Sequence, residues 1–146
     1  MSSILSTYNS IGPVAFSLLA CQQAPYFLSI NPMFQVLRPG HAQVHVPFAR
    51  EITNHLGTVH AIAMCNAAEL AAGMMTTVSI PDGARWIPSG MTVEYLAKAR
   101  TSVTARALGD EIDWNSPGDK RVPVEIRDEQ DQLVCRAHII MNVKLH

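Results

Sequence analysis

The chain has 146 residues, 48% of them hydrophobic and 16% charged, with a formal net charge of -1. That length holds one sizeable core, so residues 1–146 read as one domain. The balanced charge excludes the basic excess of a nucleic-acid binder, and the low charged fraction points to a surface partly covered by a second subunit.

The N-terminal stretch has neither the basic segment nor the long apolar run of a secretory signal. Cys21, Cys65 and Cys135 are odd in number and far apart. They read as free, reduced thiols, which makes the cytoplasm the expected location. Over residues 10–22, Ile11, Val14, Ala15, Leu18 and Leu19 follow helical spacing, predicting an amphipathic helix that lays this stripe on the core. Pro25 and Pro32 interrupt regular structure between this helix and the next element. The alternation of Ala42, Val44, Val46 and Phe48 with His41, Gln43 and His45 predicts a half-buried strand. Pro39-Gly40 before it suits a type II turn, with Phe34–Arg38 as hairpin partner.

After a polar loop, residues 59–77 are rich in Ala, Met and Leu and predict a helix, with Thr58 as N-cap. Beyond Pro81-Asp82-Gly83 come four strands. Met91, Val93, Tyr95 and Ala97 mark one face of the first, and Val103, Ala105 and Ala107 one face of the second. Val122, Val124 and Ile126 mark the third, where Pro123 suggests a place near a sheet edge. The last runs from Leu133 to Leu145 after a turn at Asp128–Asp131. One helix, two strands, a helix apolar on most sides and four strands make an α+β layout. An antiparallel sheet of about six strands curled around the apolar helix covers it most economically.

Between Ile52 and Pro81 the only charged residue is Glu69. Asn54, His55, His60, Asn66, Thr76 and Thr77 interrupt the run and no Lys/Arg cluster flanks it, which argues against a membrane span. On the predicted helix Asn66, Glu69, Gly73 and Thr76/Thr77 share one face among alanines and leucine. A carboxylate in such surroundings is costly unless partnered. Glu69 on a small, polar stripe fits a pocket wall and the work of a general base, the alternative being a solvent-facing or ion-paired glutamate. At the helix start, free N–H groups carry partial positive charge and can hold a developing oxyanion. Ala61 is small enough to let a substrate approach the backbone, and His60 orients the helix start. His41 and His45 read as a solvated strand face rather than metal ligands, Cys65 as an inert buried thiol, and no cofactor or metal site is expected.

These residues resemble the hotdog-fold thioesterases, in the branch similar to phenylacetyl-CoA thioesterase and its uncharacterised relatives. That branch carries N-x-x-G-x-x-H-G-G and an acidic residue nine positions after the histidine. Asn54, Gly57, His60 and Glu69 match it, and Val93–Ala99 is also similar. Ala61-Ile62 stands where the family has Gly-Gly. The backbone N–H of Ala61 would serve as well, while Ile62 would narrow the approach. The resemblance implies a hotdog fold, a homodimer with composite sites (pairing of dimers left open), and a small-molecule acyl thioester as partner, with neither nucleic acid nor membrane.

The implied activity is hydrolysis of acyl-CoA-type esters. The N–H of Ala61 polarises the carbonyl, and Glu69 acts as general base or nucleophile. Asn54, Gly57 and His60 shape the loop that positions substrate, while Asn66, Gly73 and Thr77 line its path. Lys98, Arg100 and Lys120 are candidates for the nucleotide phosphates. Two alternatives stay open: a non-catalytic acyl- or acyl-CoA-binding protein, motivated by Ala61-Ile62, and a dehydratase or hydratase using His60 with Glu69. One geometric point depends only on helix dimensions. Nine residues from His60 to Glu69 span about 13 Å, so one carbonyl cannot meet both ends of the same helix. A shared site needs a second copy.

Overall fold

A computed structural model describes residues 2–146. Helix α1 (Ser3–Gln23) and a short 3-10 helix (Pro25–Ile30) precede strands β1 (Met33–Arg38) and β2 (His41–Val46). Helix α2 (Ala61–Ser79) comes next, then β3 (Arg85–Tyr95), β4 (Val103–Leu108), β5 (Gly118–Arg127) and β6 (Leu133–Lys144). All six strands form one antiparallel sheet in the order β1-β2-β4-β5-β6-β3.

The alternating strands turn Ala42, Val44, Ala105, Val124, Ala137 and Ile139 toward α2 and bury them almost completely. Ala67, Ala68, Ala71 and Ala72 of α2 are wholly buried in return. Their small side chains let the helix axis come close to the sheet, and Leu70, Met64 and Met75 fill the flanks. The apolar run of residues 52–81 is thereby explained by core burial. By length and composition both α1 and α2 are apolar enough to cross a membrane, but two-thirds of α2 (67%) is packed inside the protein.

Several expectations from the sequence differ from the structure: β2 ends at Val46 and leaves Phe48 41% exposed, and β3 starts at Arg85 and ends at Tyr95, short of Ala97. The stripe Ile11–Val14–Leu18 is exposed on α1, and the buried face is instead Leu5, Phe16, Ser17, Ala20 and Cys21. The reason is a kink. Gly12 takes a left-handed φ of 86°, and with Pro13 it rotates the second half of the helix relative to the first. Phe16 then packs edge-on against Tyr8 and Phe34, with ring centroids 5.2 and 5.3 Å apart. The N-cap of α2 is His60 rather than Thr58, for its Nδ1 accepts the N–H of Ile62 at 3.0 Å. Pro123 lies on a central strand, because β5 sits between β4 and β6. It pairs with His138 of β6, one residue beyond Val124, where the β4–β5 ladder ends.

Strand β3 closes one edge of the sheet and, among the described residues, pairs only with β6. A bulge between Pro88 and Gly90 inserts one residue and shifts the side-chain alternation. Trp86 and Met91 therefore both stand on the helix side, opposite the inward-facing Val143 and Ile139. Met91 and Tyr95 point to that side and yet are 41% and 57% exposed, although the Tyr95 hydroxyl lies 3.8 Å from Cys65 Sγ of α2.

Candidate active site

Glu69 projects from the middle of α2, half-buried, into a cavity of about 230 Å³. The walls are mostly apolar: Ala20, Ala24 and Phe27 from the N-terminal helical segments, Leu70 and Met74 from α2, and Trp86 and Pro88 from β3. Among the described residues no donor and no cation meets the carboxylate. An unpaired carboxylate on an apolar wall has given up part of its hydration without compensation, which argues against a structural ion pair. Gly73 and Thr77, one and two turns along, line the same cavity.

The helix start is built by the preceding loop. Asn54 Oδ1 accepts the N–H groups of Leu56 and Thr58, at 2.9 and 3.2 Å, and Asn54 Nδ2 donates to Thr58 Oγ1 at 2.9 Å. Gly57 closes the turn at a φ of 77°, with its N–H on the Asn54 carbonyl. Val59 then donates to Ala99 and His60 to Ile52, pinning the chain where the helix begins. The imidazole of His60 satisfies the second helical N–H. The first, that of Ala61, meets no acceptor among the described residues. Ala61 lines a groove of about 300 Å³ with Asn54, Met64, Tyr95, Leu96 and Lys98.

The residues singled out from the sequence thus fall into three places in one protomer. Glu69, Gly73 and Thr77 meet at one cavity, and Asn54 and Ala61 at a groove near the opposite end of α2, with Gly57 holding the loop beside it. His60 and Asn66 line a third depression of about 170 Å³, where Ile62 also lies and Tyr26 Oη contacts Asn66 Oδ1 at 3.3 Å. Ile62 therefore does not crowd the Ala61 groove as expected. Lys98 stays exposed beside Ala61, whereas Lys120 is buried and donates to Ser116 Oγ at 2.7 Å, which removes it as a phosphate contact. Thr76 leaves the polar stripe as well, being wholly buried with its hydroxyl on the Ala72 carbonyl.

Trp86 does not stand out in the sequence. Its indole N–H donates to Thr77 Oγ1 at 2.9 Å and its ring lies over Gly73, where a Cβ would come within 2.9 Å of the ring carbon Cη2. One signal does exist: a glycine in the middle of an alanine-rich helix, where glycine costs about 1 kcal/mol against alanine, implies a close neighbour. The bulge at Pro88-Ser89-Gly90 hides which residue that is.

Residues 12–143 match a family described as a domain of unknown function, DUF4442. The chain belongs to this family. No curated protein matches it. A structural-genomics protein with no stated function (APC5556) is 55% identical to this DUF4442 chain, covering 98% of it and 97% of its own length, with a TM-score of 0.90. PA5026 from Pseudomonas aeruginosa, described as a protein of unknown function and probable thioesterase, is 20% identical over 92% of this chain and 97% of its own, with a TM-score of 0.81. Thioesterase HI1161 from Haemophilus influenzae is 17% identical over 82% of each chain, with a TM-score of 0.73. At those last two identities the likeness is one of fold, and the fold is the hotdog: an antiparallel sheet wrapped around one central helix, as the sequence predicted.

Proposed function

We propose that this protein hydrolyses acyl thioesters, with coenzyme A esters as the substrate class, at sites shared between two copies of the chain. The observation that carries the reading is the unpaired Glu69 carboxylate on the wall of an apolar cavity. The free N–H of Ala61, at a helix start where His60 already caps the amide of Ile62, supports it. The thioesterase names of proteins that share the fold add support at the level of the reaction class.

In this reading the thioester carbonyl oxygen accepts the N–H of Ala61, where the helix N-terminus favours negative charge. Glu69 takes a proton from a water whose oxygen attacks the carbonyl carbon. The C–S bond then breaks, and the departing thiolate recovers the proton from Glu69. Lys98, which is exposed beside Ala61, would meet a nucleotide phosphate.

The two groups stand eight residues apart on one helix, about 12 Å along its axis, and at separate cavities. The edge strand supports a way to join them. One end of β3 (Trp86, Pro88) borders the Glu69 cavity and the other (Tyr95) borders the Ala61 groove. Two copies related by a two-fold axis through the middle of β3 would set each Glu69 cavity beside the partner's Ala61 groove. The same pairing would cover Met91 and Tyr95 and satisfy the open strand edge.

The test is thiol release from a panel of acyl-CoA esters by the wild type and Glu69→Gln. The reading expects hydrolysis by the wild type and a loss of about a hundredfold or more in kcat for the variant, the scale of a general base. Equal rates would remove Glu69 from the chemistry.

A further inference from the structure

Two cavities lie on either side of one tryptophan. Among the described residues, the Glu69 cavity, about 230 Å³, and a more polar cavity of about 390 Å³ near the N-terminus share only Thr77 and Trp86 as walls. The far cavity is bordered by Ser2, Ile4, Ile80, Asp82 and Arg85. The indole between them is held on two sides. Its N–H is bonded to Thr77 Oγ1 at 2.9 Å, and that hydroxyl donates onward to the Gly73 carbonyl at 3.1 Å. Gly73 supplies the notch under the ring, since a side chain there would collide with it. Pro88 and the adjoining bulge fix the backbone just beyond.

We propose that Trp86, seated on Gly73 and tied to Thr77, is the floor of the acyl-binding cavity and sets the longest acyl group this protein accepts. The proposal rests on the thioesterase reading for the identity of the ligand. A volume of 230 Å³ takes about eight water-sized groups at roughly 30 Å³ each, which corresponds to an acyl group near octanoyl or an aryl-substituted equivalent. Removing the indole would join the two spaces and admit chains that the wild type refuses.

The experiment measures two profiles against chain length, from acetyl through octanoyl and dodecanoyl to hexadecanoyl. One is kcat/KM for acyl-CoA esters. The other is affinity for S-alkyl-CoA thioethers, which cannot be hydrolysed. The wild type is expected to peak near octanoyl in both. Trp86→Ala should raise the ratio of dodecanoyl to octanoyl kcat/KM by at least about tenfold, because one methylene refused by a hydrophobic pocket already changes kcat/KM by that factor. Thioether affinity should move the same way. Trp86→Phe, which keeps a ring but loses the N–H, and Thr77→Val, which frees the indole, should shift the profiles less but in the same direction. They keep the test open if Trp86→Ala does not fold. Hydrolysis with an unchanged length profile in all three variants would overturn the partition and leave the thioesterase reading intact. Thioether profiles that shift in the variants while the wild type hydrolyses no ester would overturn the reading and leave the partition intact.

Discussion

Glu69 sets a carboxylate on a mostly apolar wall of its cavity. Its carboxylate is half-buried, has no partner among the described residues and borders Leu70, Met74 and Phe27. Glu69→Gln should leave the thermal midpoint unchanged or raise it while activity collapses, the trade expected where a group is kept for function rather than for stability. A drop in midpoint would mean that the carboxylate is structural. A second residue carries a pH dependence. Burial, helped by the nearby Cys65, pushes the Cys135 thiol up to about 11 from its ordinary 9.0. The folded chain holds the thiol neutral, whereas the unfolded chain ionises it from its ordinary value upward. The stability it contributes is complete below about pH 9 and is lost as pH rises toward 11. Urea midpoints of the wild type should fall more steeply across that window than those of Cys135→Ala, and parallel curves would contradict the assignment. Glu69 is legible in the sequence because one acidic residue stands alone in a long uncharged run. Trp86 is not, because its contact with Gly73 joins positions thirteen apart through a bulge that no local pattern announces.

At the level of elements, the side chain of Ser17 hydrogen-bonds α1 to the backbone of β1. Ser17 Oγ accepts the buried N–H of Phe34 at 2.8 Å and donates to the Pro13 carbonyl at 2.7 Å. It thus serves the first strand and the kinked turn at once. Ser17→Ala would strand the Phe34 amide, and an unsatisfied buried donor costs about 1–3 kcal/mol. The loss should appear as a lower urea midpoint with an unchanged slope. A change within about 0.5 kcal/mol, as for an ordinary surface site, would show that water replaces the hydroxyl. The element order, the strand periods of β2, β4, β5 and β6 and the apolar circumference of α2 can all be read from periodicity, because each depends on which face is buried. The buried face of α1 cannot. The phase of a helix carries through a left-handed glycine only if the rotation there is known, and Gly12 resets it. Thr58 suits a cap by residue type alone. Its hydroxyl is instead engaged by Asn54, and the ring of His60 reaches the open amide.

The molecule as a whole leaves one edge unfinished. The helix side of β3 is exposed at Met91 and Tyr95, the strand's outer edge is unpaired, and the two groups proposed for one reaction open onto different cavities. A two-fold partner across β3 answers all three features together, and the proposed activity depends on it. The decisive measurement uses two inactive variants. Glu69→Gln lacks the base. Ala61→Pro lacks only the donor N–H: proline is tolerated at the first helical position, the preceding His60 already holds the extended ψ of 136° that proline requires, and no hydrogen bond is lost. Each variant alone should be nearly inactive toward acyl-CoA esters. Purified heterodimers of the two should regain about half the wild-type rate per dimer, one intact site of two. Verified heterodimers that remain inactive would contradict the shared site.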